Sequence, residues 1–518
     1  MLIALIFLVN LLVIGIAFFL RWRGWRTAHI WMILVFISLV GWLLFILVKL
    51  ENFSPLVLPN WMAIGDMPVL LQFQISANNW PFAFSFLTAI PIFLLTGIAR
   101  LDVRNDLKFW SAGILFISIA FLASLAADLW SVVIFWTALD LLEVFYQLVI
   151  FKEPDYSQLQ RSLIVRFFGG LLLIFVTATL STASINPVLV GLSESGSVMV
   201  FIAALLHSGV FPFKQTPSTV QSPQTEWILR GLVKLIVLMA SFSLLVYFPK
   251  PNLSFIINTA LQIVTYLFIF RVGLIEITSK EKEADSQWTF FLAGFIVFLY
   301  LNSANLEFWL PALFLTSVFL LVYSHRSRST MLFPLIMTLL VSSAPYTVNS
   351  IGSRAFLFDE FRISILGVIP PLVLFLGHFF KTTIQYHKDF SEIESIYQVV
   401  YLFGLLLLIL ASGVISFKFI EPLQREVAHW WVGVIVVSLL AGLYILQRKR
   451  KIKLPNTSKL YFSVSAQKFL SLDWIFRLSA QIEKRLKNLA AGFSNLFEGA
   501  GGLLWALVLL VLILTVLR

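Results

Sequence analysis

The sequence contains no cysteine, and only 12% of its 518 residues are charged. Without thiols there are no disulfides, iron–sulfur clusters or thiolate-held metals. If this chain serves a redox reaction, the electrons are expected to travel in other proteins. The scarcity of charge excludes a water-soluble globule. At 59% hydrophobic residues and a mean hydropathy of +0.93, a chain of this size cannot be solvated, and it reads as an all-α, polytopic membrane protein. Also lacking are a phosphate-binding glycine loop, paired His and carboxylate ligands at metal spacing, and a Ser-His-Asp arrangement. We therefore expect no cofactor, no metal and no catalytic site in this chain. No basic segment precedes the first apolar run, so residues 2–20 read as a membrane helix and not as a cleaved signal.

Sixteen apolar runs are present, from 2–20 to 501–517. Those at 288–302 and 331–347 are short for a hydrocarbon layer of ~30 Å. The positive-inside rule tests the count with residues that the count did not use. With the N-terminus outside, 28 of the 37 Lys and Arg fall on inner loops, Arg161, Arg166 and Arg271 among them. That bias places both termini outside a prokaryotic inner membrane. It also assigns the net charge of +11 to topology, so no nucleic-acid partner is expected. The outer loop 51–80 reads as a strand or hairpin.

Near the C-terminus, QRKRKIK (Gln447 to Lys453) precedes a stretch in which Phe469, Leu472, Ile475, Phe476, Leu478, Ile482, Leu486, Leu489 and Phe493 recur at helical spacing. Lys484, Arg485 and Lys487 lie between them. This is the pattern of a basic amphipathic helix on the inner surface, held by anionic lipid headgroups or a neighbouring subunit.

The most informative stretch runs from 197 to 248, two apolar spans joined by a polar break. His207 lies ten residues into the first span, and Arg230 and Lys234 lie in the first turns of the second. An ionisable group at that depth costs ~2.5–3.5 kcal/mol, and so faces a partner or water. Pro212, Pro217 and Pro223 in the break, with Lys214 among them, end or kink helices and free carbonyls. A kinked helix beside a titratable side chain is what a proton relay needs. A bent structural helix looks the same.

The segment HSGVFPFK (207–214) with Pro217 and Pro223 resembles the core motif of the antiporter-like membrane subunits of respiratory complex I, Mrp-type cation/proton antiporters and membrane-bound hydrogenases. There a Lys-Ser-Ala-x-x-Pro-Phe-His run is followed by a Pro-Thr-Pro turn. Sixteen spans and an amphipathic helix before the last one resemble the largest such subunit. The resemblance implies two inverted five-helix repeats, here 108–250 and an eroded 251–386. Three spans (1–107) would precede them. Spans 14 and 15 (387–446), the inner-surface helix region (447–500) and the last span (501–518) would follow.

His207 stands where the family has its proton-carrying lysine. The family's fifth-span Trp-Glu pair is Trp136-Thr137 here, so the carboxylate is displaced to Asp140, with Glu143 one turn further on. Lys234 falls close to a family lysine, with Arg230 one turn before it. In the second half Pro311 stands where a lysine belongs. Two segments compete for the twelfth-span break, one with Pro345 and ending at Arg354, the other with Pro370 and ending at His378. Lys381 is expected to snorkel to the inner edge, and His29, His325, His387 and His429 to be solvated.

The resemblance implies a proton-translocating subunit of a redox-driven complex. The resemblance implies sister antiporter-like and other membrane subunits, membrane lipids and, indirectly, quinone and redox subunits as partners. Two alternatives stand beside it. One is a degenerate structural subunit that conducts nothing; the other is a cation/proton antiporter subunit using Asp140 and Glu143.

Overall fold

The computed structural model describes residues 2–48, 56–64, 67–98, 106–151, 156–182, 194–210, 224–248, 253–278, 288–302, 306–326, 330–342, 363–385, 388–390, 394–419, 430–448 and 481. All but Gln481 belong to one compact unit, Met1–Phe211 with Gln215–Pro455. A second unit, Pro212–Lys214 with Asn456–Arg518, holds the expected amphipathic helix and last span, which lie outside the described residues.

Fifteen α-helices follow one another among the described residues. They are α1 (Leu2–Trp22), α2 (Thr27–Ile46), α3 (Trp80–Gly97), α4 (Asp106–Leu125), α5 (Leu129–Val149), α6 (Tyr156–Thr182), α7 (Glu194–His207) and α8 (Gln224–Ser243). Then come α9 (Phe255–Thr278), α10 (Trp288–Leu301), α11 (Leu306–Val322), α12 (Leu332–Val341), α13 (Ile363–Gln385), α14 (Ser395–Phe419) and α15 (Trp430–Arg448). Each coincides with one of the first fifteen apolar runs. Nine described helices are long and apolar enough to cross a membrane, and five shorter ones are apolar. The chain is thus an all-helical, multi-pass membrane protein.

The core forms around α3, which packs against α2, α4, α11 and α14. Its Trp80, Phe82, Phe84, Phe86 and Leu94 are buried, as are Ser85, Thr88 and Thr96. Each of those hydroxyls donates to a carbonyl three or four residues back in its own helix, which removes the cost of burying it. Indole N–H groups tie α2 to α3, from Trp42 to Thr88 Oγ1 at 2.9 Å and from Trp31 to the Leu94 carbonyl at 3.0 Å. Lys418 of α14 donates to the carbonyls of Ile46 and Val48 at the end of α2, at 3.0 and 2.7 Å, with its ammonium 4.0 Å from the Trp80 ring. A cation there satisfies carbonyls that lack an intrahelical partner. Helices α1, α2, α5, α6 and α9, by contrast, leave large apolar side chains exposed, among them Leu12, Phe36, Phe145, Phe167 and Val264. In a membrane protein such faces carry no penalty, because the surrounding hydrocarbon is as apolar as they are.

The expected hairpin in 51–80 is present as antiparallel strands β1 (Leu56–Ile64) and β2 (Met67–Phe73). β2 is bound to the α4–α5 junction. Asp128, the N-cap of α5, accepts from Ser131 N at 2.8 Å and from Gln72 N at 3.0 Å. One carboxylate thereby caps a membrane helix and docks the hairpin.

A short parallel pair, β3 (His325–Arg326) with β4 (Lys388–Asp389), joins the segment after α11 to the segment before α14. Here the structure corrects an expectation. His325 is not solvated: it is buried, with Nδ1 2.9 Å from Ser324 Oγ, and its backbone N–H, like that of Ser324, donates to the Tyr401 hydroxyl. His29 is exposed as expected; His387 and His429 lie outside the described residues.

Candidate functional site

α5 carries Trp136, Asp140 and Glu143 at spacings of four and three, so all three side chains share one stripe. Glu143 and Trp136 are buried. From α6, Arg166 enters between the two carboxylates. Its Nη1 lies 3.1 Å from Asp140 Oδ1 and forms a second, close ion pair with Glu143. Arg166 is 3% exposed. This corrects the positive-inside count, which places Arg166 in an inner loop: its guanidinium is core, held there because two anions meet it.

Two glycines make the approach possible. Gly169 lies one turn after Arg166, and a Cβ on it would sit 2.8 Å from the Ala203 carbonyl oxygen and 3.0 Å from His207 N, so α6 and α7 touch backbone to backbone there. Gly209 follows the end of α7 with φ +72°, and a Cβ on it would lie 2.7 Å from Arg166 Nη2. A glycine with positive φ is the ordinary way to end a helix. Here it also leaves room for the guanidinium.

α7 has 14 residues, ~21 Å of helix against a ~30 Å layer, and it ends at His207. The imidazole is 1% exposed. Its Nε2 lies 3.3 Å from Asp140 Oδ2, its Nδ1 2.7 Å from Ser241 Oγ of α8, and the Trp136 indole stacks on it at 4.0 Å and 9°. The hydroxyl decides the tautomer. Ser241 donates its proton to the Val237 carbonyl at 2.7 Å, so its oxygen accepts from Nδ1–H. Nε2 then faces a carboxylate oxygen at 3.3 Å, a gap in which a proton could sit on the ring or on Asp140. With the proton aboard, two cations and two carboxylates balance; without it the site carries one net negative charge.

A second cluster repeats the plan. His378 of α13 is buried, with Nδ1 3.1 Å from Glu276 Oε2 of α9. The Trp288 indole of α10 stacks on it at 4.5 Å and 25°, and donates to Ser317 Oγ of α11 at 3.3 Å. Thr382 donates to the His378 carbonyl at 2.9 Å while its oxygen lies 3.3 Å from Nε2. Again a hydroxyl accepts on one side and a carboxylate faces the other nitrogen. Lys381, half-buried, donates to the Glu276 backbone carbonyl at 3.0 Å. It bonds inside the bundle where snorkelling was expected. The His378–Glu276 pair alone carries one negative charge when the ring is empty and none when it is loaded, as the first site does; counting the Lys381 ammonium, the sums are zero and plus one.

The structure brings His207, Asp140 and Glu143 together and places His378 apart from them. Arg230 pairs with buried Glu226 one turn earlier at 2.5 Å and lies over the Phe151 ring at 4.3 Å. Lys234 is on an exposed face of α8. Pro370, expected at a helix break, lies with Pro371 inside the continuous helix α13. Lys214, Arg354, Pro212, Pro217, Pro223 and Pro345 lie outside the described residues. Among the described residues no group of His, Asp and Glu is arranged to hold a metal ion.

Sequence reasoning missed Arg166, Glu276 and Ser241. Arg166 had a signal, because it falls inside the apolar run 163–182, where a cation is costly unless paired. Glu276 had a weaker one, because it follows the apolar run 254–272 by only four residues. Ser241 had none.

No family model and no curated protein matches this sequence. Solved structures do. Over 100% of its length the chain is similar to a chain in a structure titled the Mrp complex from Dietzia sp. DQ12-45-1b, with a TM-score of 0.65 and 14% identity. It spans 63% of that chain's length. It is also similar to a chain of the membrane-bound sulfane sulfur reductase (MBS), an archaeal respiratory membrane complex, with a TM-score of 0.60, 14% identity and 99% of both chains covered. The expected likeness to antiporter-like membrane subunits thus holds at the level of the fold.

Proposed function

We propose that this chain is a proton-translocating, antiporter-like membrane subunit of a multisubunit respiratory complex. In this reading the site around His207 is loaded and unloaded with a proton as partner subunits change the local field. The observation that carries it is the buried imidazole held between a hydroxyl on one nitrogen and a carboxylate at 3.3 Å on the other, an arrangement that a proton in the gap would complete. Histidine exchanges protons near neutrality. Loading cancels the site's net charge, so a cation approaching from a neighbouring subunit would discharge it and an anion would load it. Trp136 supplies a π face to the charged ring. His378 with Glu276 would serve as a second station. The redox chemistry belongs to partner proteins, consistent with a chain that has no cysteine.

Arg166 favours a second reading, a subunit that keeps the fold and conducts nothing, because it fastens both carboxylates of the first site. The same contact weighs against a sodium site at Asp140 and Glu143, whose oxygens already face a cation. Proton uptake by the assembled complex in proteoliposomes separates the readings. His207→Phe should abolish uptake while assembly and substrate turnover persist, and His207→Lys should restore part of it. Unchanged uptake in His207→Phe would establish the structural reading instead.

A further inference from the structure

The turn between α1 and α2 contributes no side chain to either histidine cluster, and its chemistry is independent of proton transfer there. Within six residues the turn presents Arg21, Arg23 and Arg26, all exposed, interleaved with exposed Trp22 and Trp25. Residues 1–48 contain no Asp or Glu. Among the described residues no carboxylate pairs with the three guanidiniums; Arg21 donates to Thr27 Oγ1 at 3.2 Å, and Arg23 lies over the Phe19 and Trp22 rings at 5.4 and 5.7 Å. The cationic cluster is therefore unneutralised by its own surroundings. Tryptophans beside it are the side chains that settle at the headgroup level of a bilayer.

Along one face of α2 from this turn lies a shallow, open apolar pocket of about 790 Å³, whose lining among the described residues is Trp25, His29, Met32, Ile33, Phe36 and Ile37. The steps of three and four residues keep it on a single stripe. Its helical part, Thr27 to Ile37, is eleven residues or ~16 Å long, about half the ~30 Å hydrocarbon layer, which is the depth of one leaflet. Its head end is polar and basic, and the rest is apolar. A cationic head and an apolar trough of leaflet length complement one kind of molecule.

We propose that this groove holds an anionic phospholipid, with its phosphate on the Arg21, Arg23 and Arg26 cluster and one acyl chain along Met32 to Ile37. The apolar trough alone would take any lipid; the three guanidiniums select for charge. The full-length chain, purified in mild detergent, is offered equimolar phosphatidylglycerol and phosphatidylcholine with identical acyl chains, and retained lipid is weighed by native mass spectrometry. At about a fivefold gain per basic contact, screened in part, the wild type should keep phosphatidylglycerol over phosphatidylcholine by about tenfold or more. The triple variant Arg21→Gln, Arg23→Gln, Arg26→Gln should bring that ratio close to unity. Ile33→Trp, which fills the trough and leaves the arginines, should lower retention of both lipids, and excess inorganic phosphate should not displace the lipid from the wild type. Should the triple variant fail to fold, Arg23→Gln and Arg26→Gln singly should each lower the ratio. Equal retention of the two lipids by the wild type would overturn the proposal. So would a selectivity that survives loss of the arginines, or a cross-link from Ile33 to a neighbouring subunit in the assembled complex.

Discussion

Replacing Arg166 by methionine keeps an unbranched stem and removes the guanidinium with its charge, leaving Asp140 and Glu143 as two anions on one buried stripe of α5. The size of the loss is set by the geometry. A unit-charge pair 3.1 Å apart attracts by ~5 kcal/mol at an effective dielectric near ~20. The two contacts together offset the cost of desolvating the guanidinium. Removing one partner of such a group costs ~3–5 kcal/mol, mostly because the remaining charge is stranded. The double variant Arg166→Met with Glu143→Gln leaves only His207 and Asp140 charged, a balanced pair when the proton is present, and should recover most of the loss. Unfolding of the purified chain in detergent, followed by chemical denaturation, reads both numbers. A loss under about 1 kcal/mol in the single variant would mean that the cluster is solvated. A double variant no better than the single one would mean that Arg166 does not act through Glu143. Either result would refute the account of this site as a balanced four-charge cluster.

Gly169→Leu should destabilise the chain by ~1–3 kcal/mol by forcing α6 from α7, and should impair proton uptake beyond that loss because Arg166 moves with its helix; Gly169→Ala should be milder, with the same order of effects. Lys418→Met should cost ~1–3 kcal/mol, since two carbonyls at the end of α2 lose a charged donor and Trp80 loses its cation; an unchanged unfolding midpoint would refute that. Asp128→Asn should cost ~1–3 kcal/mol although it is nearly isosteric, because the amide NH₂ would have to face the donors Ser131 N, Ser131 Oγ or Gln72 N; protease cutting of the hairpin should then rise. Loss of proton uptake in His207→Phe, with partial return in His207→Lys, completes the set.

The number and placement of the helices were legible in the sequence because a bilayer enforces them locally. Each span must be apolar over a set length and must satisfy its backbone internally, so the first fifteen apolar runs and the fifteen described helices coincide. His207, Asp140 and Glu143 could be singled out for the same reason: ionisable side chains are costly in that layer and stand out against it. Which of them meet was decided only in the tertiary structure. Arg166 counts as a loop cation in the sequence, because the inside-loop count weighs charge and ignores the face a residue occupies. It is a core residue because Gly169 and Gly209 let α6 close on α7. Lys234, two residues from buried Leu232, faces outward by the rotation of its helix alone. The two stacked histidines could not be paired with Trp136 and Trp288 from spacing, since each pair joins different helices. Hydrophobic patterning acts within a span and can be read residue by residue; charge pairing acts across spans and depends on which backbones approach closely enough to share a proton.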